Sequence, residues 1–97
     1  MLAVSALAVS KEISLEDVQR ALGDALGPGY RVSVTSGSSL KVMRNAVTWG
    51  TVHLSWPSGE TSFRVRPGGL ILVAAFNAVY TAPKIRHALD RAFPHAA

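Results

Sequence analysis

The sequence predicts a two-layer α+β domain: a three- or four-stranded antiparallel sheet with an N-terminal helix and one or two C-terminal helices on one face. Two observations lead to this fold class. Stretches of alternating apolar and polar residues fill the middle of the chain, and apolar residues at helical spacing occupy both ends. The 97 residues, 48% hydrophobic and 16% charged, suffice for one compact core. We therefore expect a single domain over residues 14–94, preceded by a loose segment at residues 1–13.

The first ten residues, MLAVSALAVS, are similar in composition to the apolar core of a signal peptide. They lack the basic region that precedes such a core, so a loose amino-terminal segment is the favoured interpretation. The most apolar run of the chain, residues 70–80, is shorter than the ~20 residues needed to span a bilayer. We expect a cytoplasmic protein with no transmembrane segment.

The first predicted helix covers residues 15–26. Ser14 is a suitable N-cap, Asp17 occupies the third helical position, and Gly27 followed by Pro28 ends the helix. One face is apolar and needs a sheet to cover it. Its residues are Leu15, Val18, Leu22 and Leu26.

The sheet is predicted from three stretches that alternate apolar and polar residues, YRVSVT, LKVMR and TSFRVR. The first two form a hairpin about the turn SGSS, and a longer strand from about 47 to 56 ends at the turn PSGE. The apolar residues predicted to face the helices are Val32, Val34, Leu40, Val42, Phe63 and Val65.

The carboxy-terminal part is predicted to be helical in two pieces. Residues 70–80 are assigned to a buried helix, although a short apolar run with Ile and Val also fits a buried strand. A break is expected at residues 81–83, because proline removes a backbone donor and disrupts a helix interior. An amphipathic helix follows, with Ile85 and Leu89 on its apolar face.

The stretch AVTWGTVHLSW, residues 46–56, contains both tryptophans and changes the parity of its apolar residues. Val47 and Trp49 lie at odd positions, whereas Val52 and the apolar residues after it lie at even ones. A β-bulge at Gly50 would return Trp49 to the core, and this is the favoured interpretation. Without a bulge, Trp49 lies on the outer face of the sheet.

No residues in the sequence form a catalytic or metal-binding pattern. There is no cysteine, the three histidines lack the spacing of a metal motif, and the serines beside glycines lie in turns rather than in a nucleophile elbow. We therefore predict a protein that is not an enzyme and uses no cofactor or metal. The segment RPGGL could receive an anion at Arg66 and its glycines, but a flexible connection from sheet to helix is the simpler interpretation.

The leading functional prediction is a small binding or assembly module that acts through protein–protein contacts, including self-association. The apolar run after the sheet supports it, because this run offers more apolar surface than one sheet face easily covers. The predicted contact residues are Leu70, Val73, Phe76, Asn77 and Tyr80.

The alternative functional prediction is nucleic-acid binding through the outer face of the sheet. Ten Lys and Arg against six Asp and Glu give a net charge of +4, which favours anionic partners. An outward tryptophan among basic groups is a combination that single-stranded nucleic-acid platforms use. The predicted residues are Arg31, Lys41, Trp49, His53, Arg64 and Arg66.

Overall fold

The computed structural model of the protein describes residues 5–69 and 71–93. Within these ranges, five antiparallel strands form one sheet in the order β1-β5-β4-β3-β2, and the helices pack on one face of it. The strands are β1 (Ser5–Val9), β2 (Arg31–Ser36), β3 (Ser39–Met43), β4 (Trp49–Ser55) and β5 (Thr61–Pro67). The helical elements are α1 (Leu15–Leu26), α2 (Ile71–Phe76), a π turn (Asn77–Thr81) and α3 (Ala82–Ala92).

The α+β class is confirmed, but the prediction of three or four strands was wrong. The additional strand, β1, lies in the segment at residues 1–13 that was expected to be loose, and it pairs antiparallel with β5. Its alanines have low strand propensity, so the local sequence did not indicate it. The Thr61 hydroxyl anchors the connection to α1, because it donates to the Lys11 carbonyl and accepts from the Ile13 N–H, both at 2.7 Å.

The first helix has the predicted boundaries and cap. The Ser14 hydroxyl accepts from the backbone N–H of Asp17 at 3.2 Å, and Gly27 ends the helix with a φ of 90°. Leu15, Val18 and Leu22 are buried against the sheet and α3. These three residues of the apolar face are therefore buried, as the sequence periodicity predicted.

The carboxy-terminal helix does not break where the sequence predicted. Helical structure runs from Ile71 to Ala92, and the π turn replaces the expected break. The N–H of Ala82 bonds the Asn77 carbonyl across this wider turn, directly before Pro83. The wider turn suits a proline, whose ring would otherwise clash with the carbonyl four residues earlier. No helix within the described ranges is long and apolar enough to cross a bilayer.

The core lies between the sheet and the helices. Phe63 is fully buried at the centre of the core, and its ring centroid lies 5.8 Å from the ring centroid of Phe93. Trp56 packs against the core at the end of β4, and its indole N–H donates to the Ile13 carbonyl at 2.7 Å. Val34, which was predicted to be a core residue, is 46% exposed because β2 is an edge strand.

Candidate nucleic-acid interface

β4 pairs with both of its neighbours in unbroken register. Met43 lies opposite Trp49 and Leu40 opposite Val52 on the β3 side, while Gly50 lies opposite Pro67 on the β5 side. The bulge predicted at Gly50 is therefore absent, and that prediction was wrong. Because side chains alternate along a strand, Val52 faces the helices and Trp49 lies on the outer face.

Glycine is needed at position 50 for a different reason, because α3 approaches the sheet closely there. It is an inward-facing position, and a Cβ added there would lie 2.9 Å from Ile85 Cδ1 and 3.0 Å from the Arg66 carbonyl oxygen. A side chain at this position would push the helix away from the sheet. The glycine that suggested a bulge thus permits close helix–sheet packing.

Trp49 is half-buried on the outer face. Its ring lies directly against Gly68, where an added Cβ would lie 2.2 Å from indole Cδ2. The ammonium of Lys41 lies over the ring, 4.5 Å from the centroid, as a cation–π contact. The indole of Trp49 therefore packs against Gly68 and also contacts the ammonium of Lys41.

Asn77 fixes this corner of the sheet from the helical layer. Its Oδ1 accepts from the Trp49 N–H at 3.0 Å and from the Thr81 hydroxyl, and its Nδ2 donates to the carbonyls of Val47 at 2.9 Å and Gly68 at 3.0 Å. Asn77 is fully buried, so it lies inside the domain and not on the predicted contact surface. An asparagine within an otherwise apolar run was the signal for such a role.

The pairing register places the predicted basic residues together on the outer face. Lys41 lies opposite Thr51, which in turn lies opposite Arg66, and one step along the strands His53 lies opposite Arg64. Directly opposite residues on one face have Cβ atoms ~5 Å apart, so these side chains are neighbours. Arg31 extends the face across β2, opposite Met43.

The charges on this face are of one sign. No Asp or Glu lies in any of the five strands, and among the described residues the one ion pair joins Arg20 to Asp17 at 3.2 Å within α1. Arg31, Arg64 and Arg66 are exposed, whereas Lys41 and His53 are half-buried. We call this surface, Arg31, Lys41, Trp49, His53, Arg64 and Arg66, the basic sheet face.

A second exposed surface lies on the helical layer. Phe76, Val79 and Tyr80 are 43%, 64% and 65% exposed, and the Phe76 and Tyr80 rings lie 5.0 Å apart. Of the other predicted contact residues, Val73 is half-buried and Leu70 lies outside the described residues. Val79 was not among the predicted contact residues, although it follows Phe76 at the i+3 spacing that places two residues on one face of a helix.

The anion site considered at RPGGL has one of its donors already in use. The Gly68 N–H donates to the Trp49 carbonyl at 3.1 Å, and the Gly68 carbonyl accepts from Asn77. Over residues 5–69 and 71–93, no group of three or more His, Asp or Glu side chains could hold a metal ion.

No protein-family model, curated protein or solved structure matches this chain.

Proposed function

We propose that the protein binds single-stranded nucleic acid through the basic sheet face. The observation that carries the proposal is a sheet face with four Lys and Arg side chains and an outward tryptophan. Among the residues that the structure describes, no helix covers this face and no carboxylate lies on it. Single-stranded nucleic acids bind such surfaces by phosphate contacts to cations and by base stacking on aromatic rings.

The arginines supply the phosphate contacts. Arg64 and Arg66 project from the same face of β5, about 7 Å apart along the strand, since each residue advances a strand by ~3.4 Å. Their guanidinium groups are exposed and unpaired within the described part of the chain, so phosphate binding would break no existing ion pair. Guanidinium binds phosphate with two parallel hydrogen bonds, which favours arginine in this role.

Trp49 supplies the stacking surface once Lys41 moves. An exposed cation–π contact contributes ~0.5–1 kcal/mol, whereas stacking a base on an aromatic side chain contributes ~1–3 kcal/mol. A base can therefore replace the Lys41 ammonium over the ring at a net gain. The displaced ammonium then lies beside the strand, where a phosphate can pair with it.

This proposal ranks above the assembly function that the sequence favoured. The ranking depends on the direction of Trp49, since a bulge would have buried the ring and left a merely solvated basic surface. The regular register of β4 supports the outward position of Trp49. Assembly through the helical layer is a separate question, because it uses the opposite side of the domain.

The test is a titration of a fluorescently labelled single-stranded oligonucleotide, followed by anisotropy at several salt concentrations. Four phosphate contacts predict a slope of about −3 in log affinity against log salt, from ~0.7 per contact on single strands. The double variant Arg64→Ala/Arg66→Ala keeps two of the four contacts, so the salt dependence should weaken to a slope of about −1.5.

The matched control is Lys84→Ala/Arg86→Ala, which removes the same two charges from exposed positions on α3. It should leave the slope near that of the unmodified protein. Equal loss in both double variants would show attraction by net charge alone, and no measurable binding at low salt would refute the proposal.

A further inference from the structure

We propose that a cleft at one end of the basic sheet face binds the terminal phosphate of a single-stranded nucleic acid. This inference rests on the proposed function and adds a class of substrate to it, a strand that ends in a phosphate monoester. The cleft, which we call the end cleft, has a volume of about 260 Å³. It is lined by His53, Leu54, Ser55, Ser62 and Arg64.

Two pairs of residues on neighbouring strands bring four hydrogen-bond donors to the end cleft. Ser55 of β4 lies opposite Ser62 of β5, and two residues along the strands His53 lies opposite Arg64. Residues two positions apart share a face of a strand, so all four side chains project from the outer face, with Cβ atoms ~5 Å apart within each pair. The two hydroxyls, the imidazole and the guanidinium can each donate to a phosphate oxygen.

These donors are accessible and have no internal partners. Ser55 and Arg64 are exposed, whereas His53 and Ser62 are half-buried. Within the described part of the chain, none of the four side chains makes a hydrogen bond or an ion pair. A phosphate can therefore bind in the end cleft without displacing an existing contact.

A terminal phosphate matches the end cleft better than a phosphate inside the strand. A phosphate monoester carries a charge of about −1.5 to −2 at pH 7 and has three strong acceptor oxygens. An internal phosphodiester carries one negative charge, and its second ester bond removes one of those oxygens. Four convergent donors therefore gain more from a monoester.

The charges along the β4–β5 hairpin also favour the end of a strand at this position. Towards Trp49 the hairpin carries Arg66, whereas beyond the end cleft residues 56–61 carry one charged side chain, Glu60. A nucleic acid that continued past the cleft would bring its next phosphate towards this carboxylate, and like charges repel. The strand should therefore end in the end cleft and run towards Trp49.

Fluorescence anisotropy with three oligonucleotides of one sequence tests this inference. One carries a 5′-phosphate, one a 3′-phosphate and one hydroxyls at both ends, with the label on an internal base. One of the two phosphorylated strands should bind about tenfold more tightly than the other two, the equivalent of one added hydrogen bond to a charged group. Equal affinity for all three, or an equal gain from both phosphates, would overturn the inference but not the proposed function. Binding of none of them would overturn both.

The double variant Ser55→Ala/Ser62→Ala removes two of the four donors without changing the charge. It should reduce the tenfold preference to about threefold, since half of the corresponding free energy is lost. Its affinity for the hydroxyl-ended strand should not change. Ser33→Ala is the matched control, because Ser33 is a half-buried serine on the outer face of β2, opposite Lys41, and it should keep the full preference. An unchanged preference in the double variant, or the same loss in the control, would overturn the inference.

A mononucleotide with the same phosphate distinguishes a strand end from a free phosphate ester. It lacks the contacts that a strand makes along the rest of the basic sheet face. It should therefore compete with the labelled phosphorylated strand at least about tenfold more weakly than the unlabelled strand does. Equal competition would show that the end cleft takes a free phosphate ester, and it would overturn the inference.

Discussion

Asn77→Ala should be among the most destabilising single substitutions in this domain. The change removes one amide that makes four hydrogen bonds, to Val47, Trp49, Gly68 and Thr81. The bonds to Gly68 and Thr81 are buried, and a buried polar group left without a partner costs ~1–3 kcal/mol. The Val47 and Trp49 groups are partly buried, so water can replace some of what they lose.

Adding the two buried groups gives an expected loss of ~2–6 kcal/mol in the free energy of unfolding, which compares with the ~5–15 kcal/mol typical of a whole domain. Urea denaturation followed by circular dichroism measures it. Asn45→Ala is the control, because the Asn45 side chain also accepts two backbone N–H groups, at 3.0 and 2.9 Å, but in an exposed turn. Asn45→Ala should cost under ~1 kcal/mol. Similar losses for the two variants would refute the role assigned to Asn77.

Two further substitutions test the geometry of β4. Gly50→Ala should lower the free energy of unfolding by ~1–3 kcal/mol, because the added methyl meets Ile85 and the Arg66 carbonyl; a neutral result in urea denaturation would contradict the close packing of α3. Trp49→Leu keeps an apolar side chain over Gly68 but removes the stacking ring, so affinity for a single-stranded oligonucleotide should fall about 5- to 150-fold, the equivalent of ~1–3 kcal/mol. Trp56→Leu, at the core side of the sheet, should leave that affinity unchanged, and the opposite order of effects would exclude Trp49 as the stacking residue.

Much of the fold was predictable because its signals are local. The cap at Ser14 and the stop at Gly27 set the limits of α1 through contacts within a few residues. The hairpin of β2 and β3 followed from alternation and a serine- and glycine-rich turn. The basic residues of the candidate site were also identified, because Arg64 and Arg66 share a parity within one strand.

The structural details that the sequence analysis missed depend on distant partners. β1 forms only because β5, more than fifty residues later, offers a free edge. Gly50 fits a bulge and a close helix contact equally well until the position of Ile85 is known. The apolar run gave no sign of a π turn, since that turn depends on buried bonds from Asn77 to the ends of β4 and β5.

The sequence by itself determined an α+β chain with a capped first helix, a central hairpin and basic residues of common parity, since caps, turns and alternation act over one to four residues. Tertiary structure alone decided which way Trp49 faces, which side of the apolar helix is exposed and where Asn77 lies. The hydrogen bond from the Trp49 N–H to Asn77 joins residues 28 positions apart. A contact over that separation forms only after the two layers have packed, so no local pattern can specify it.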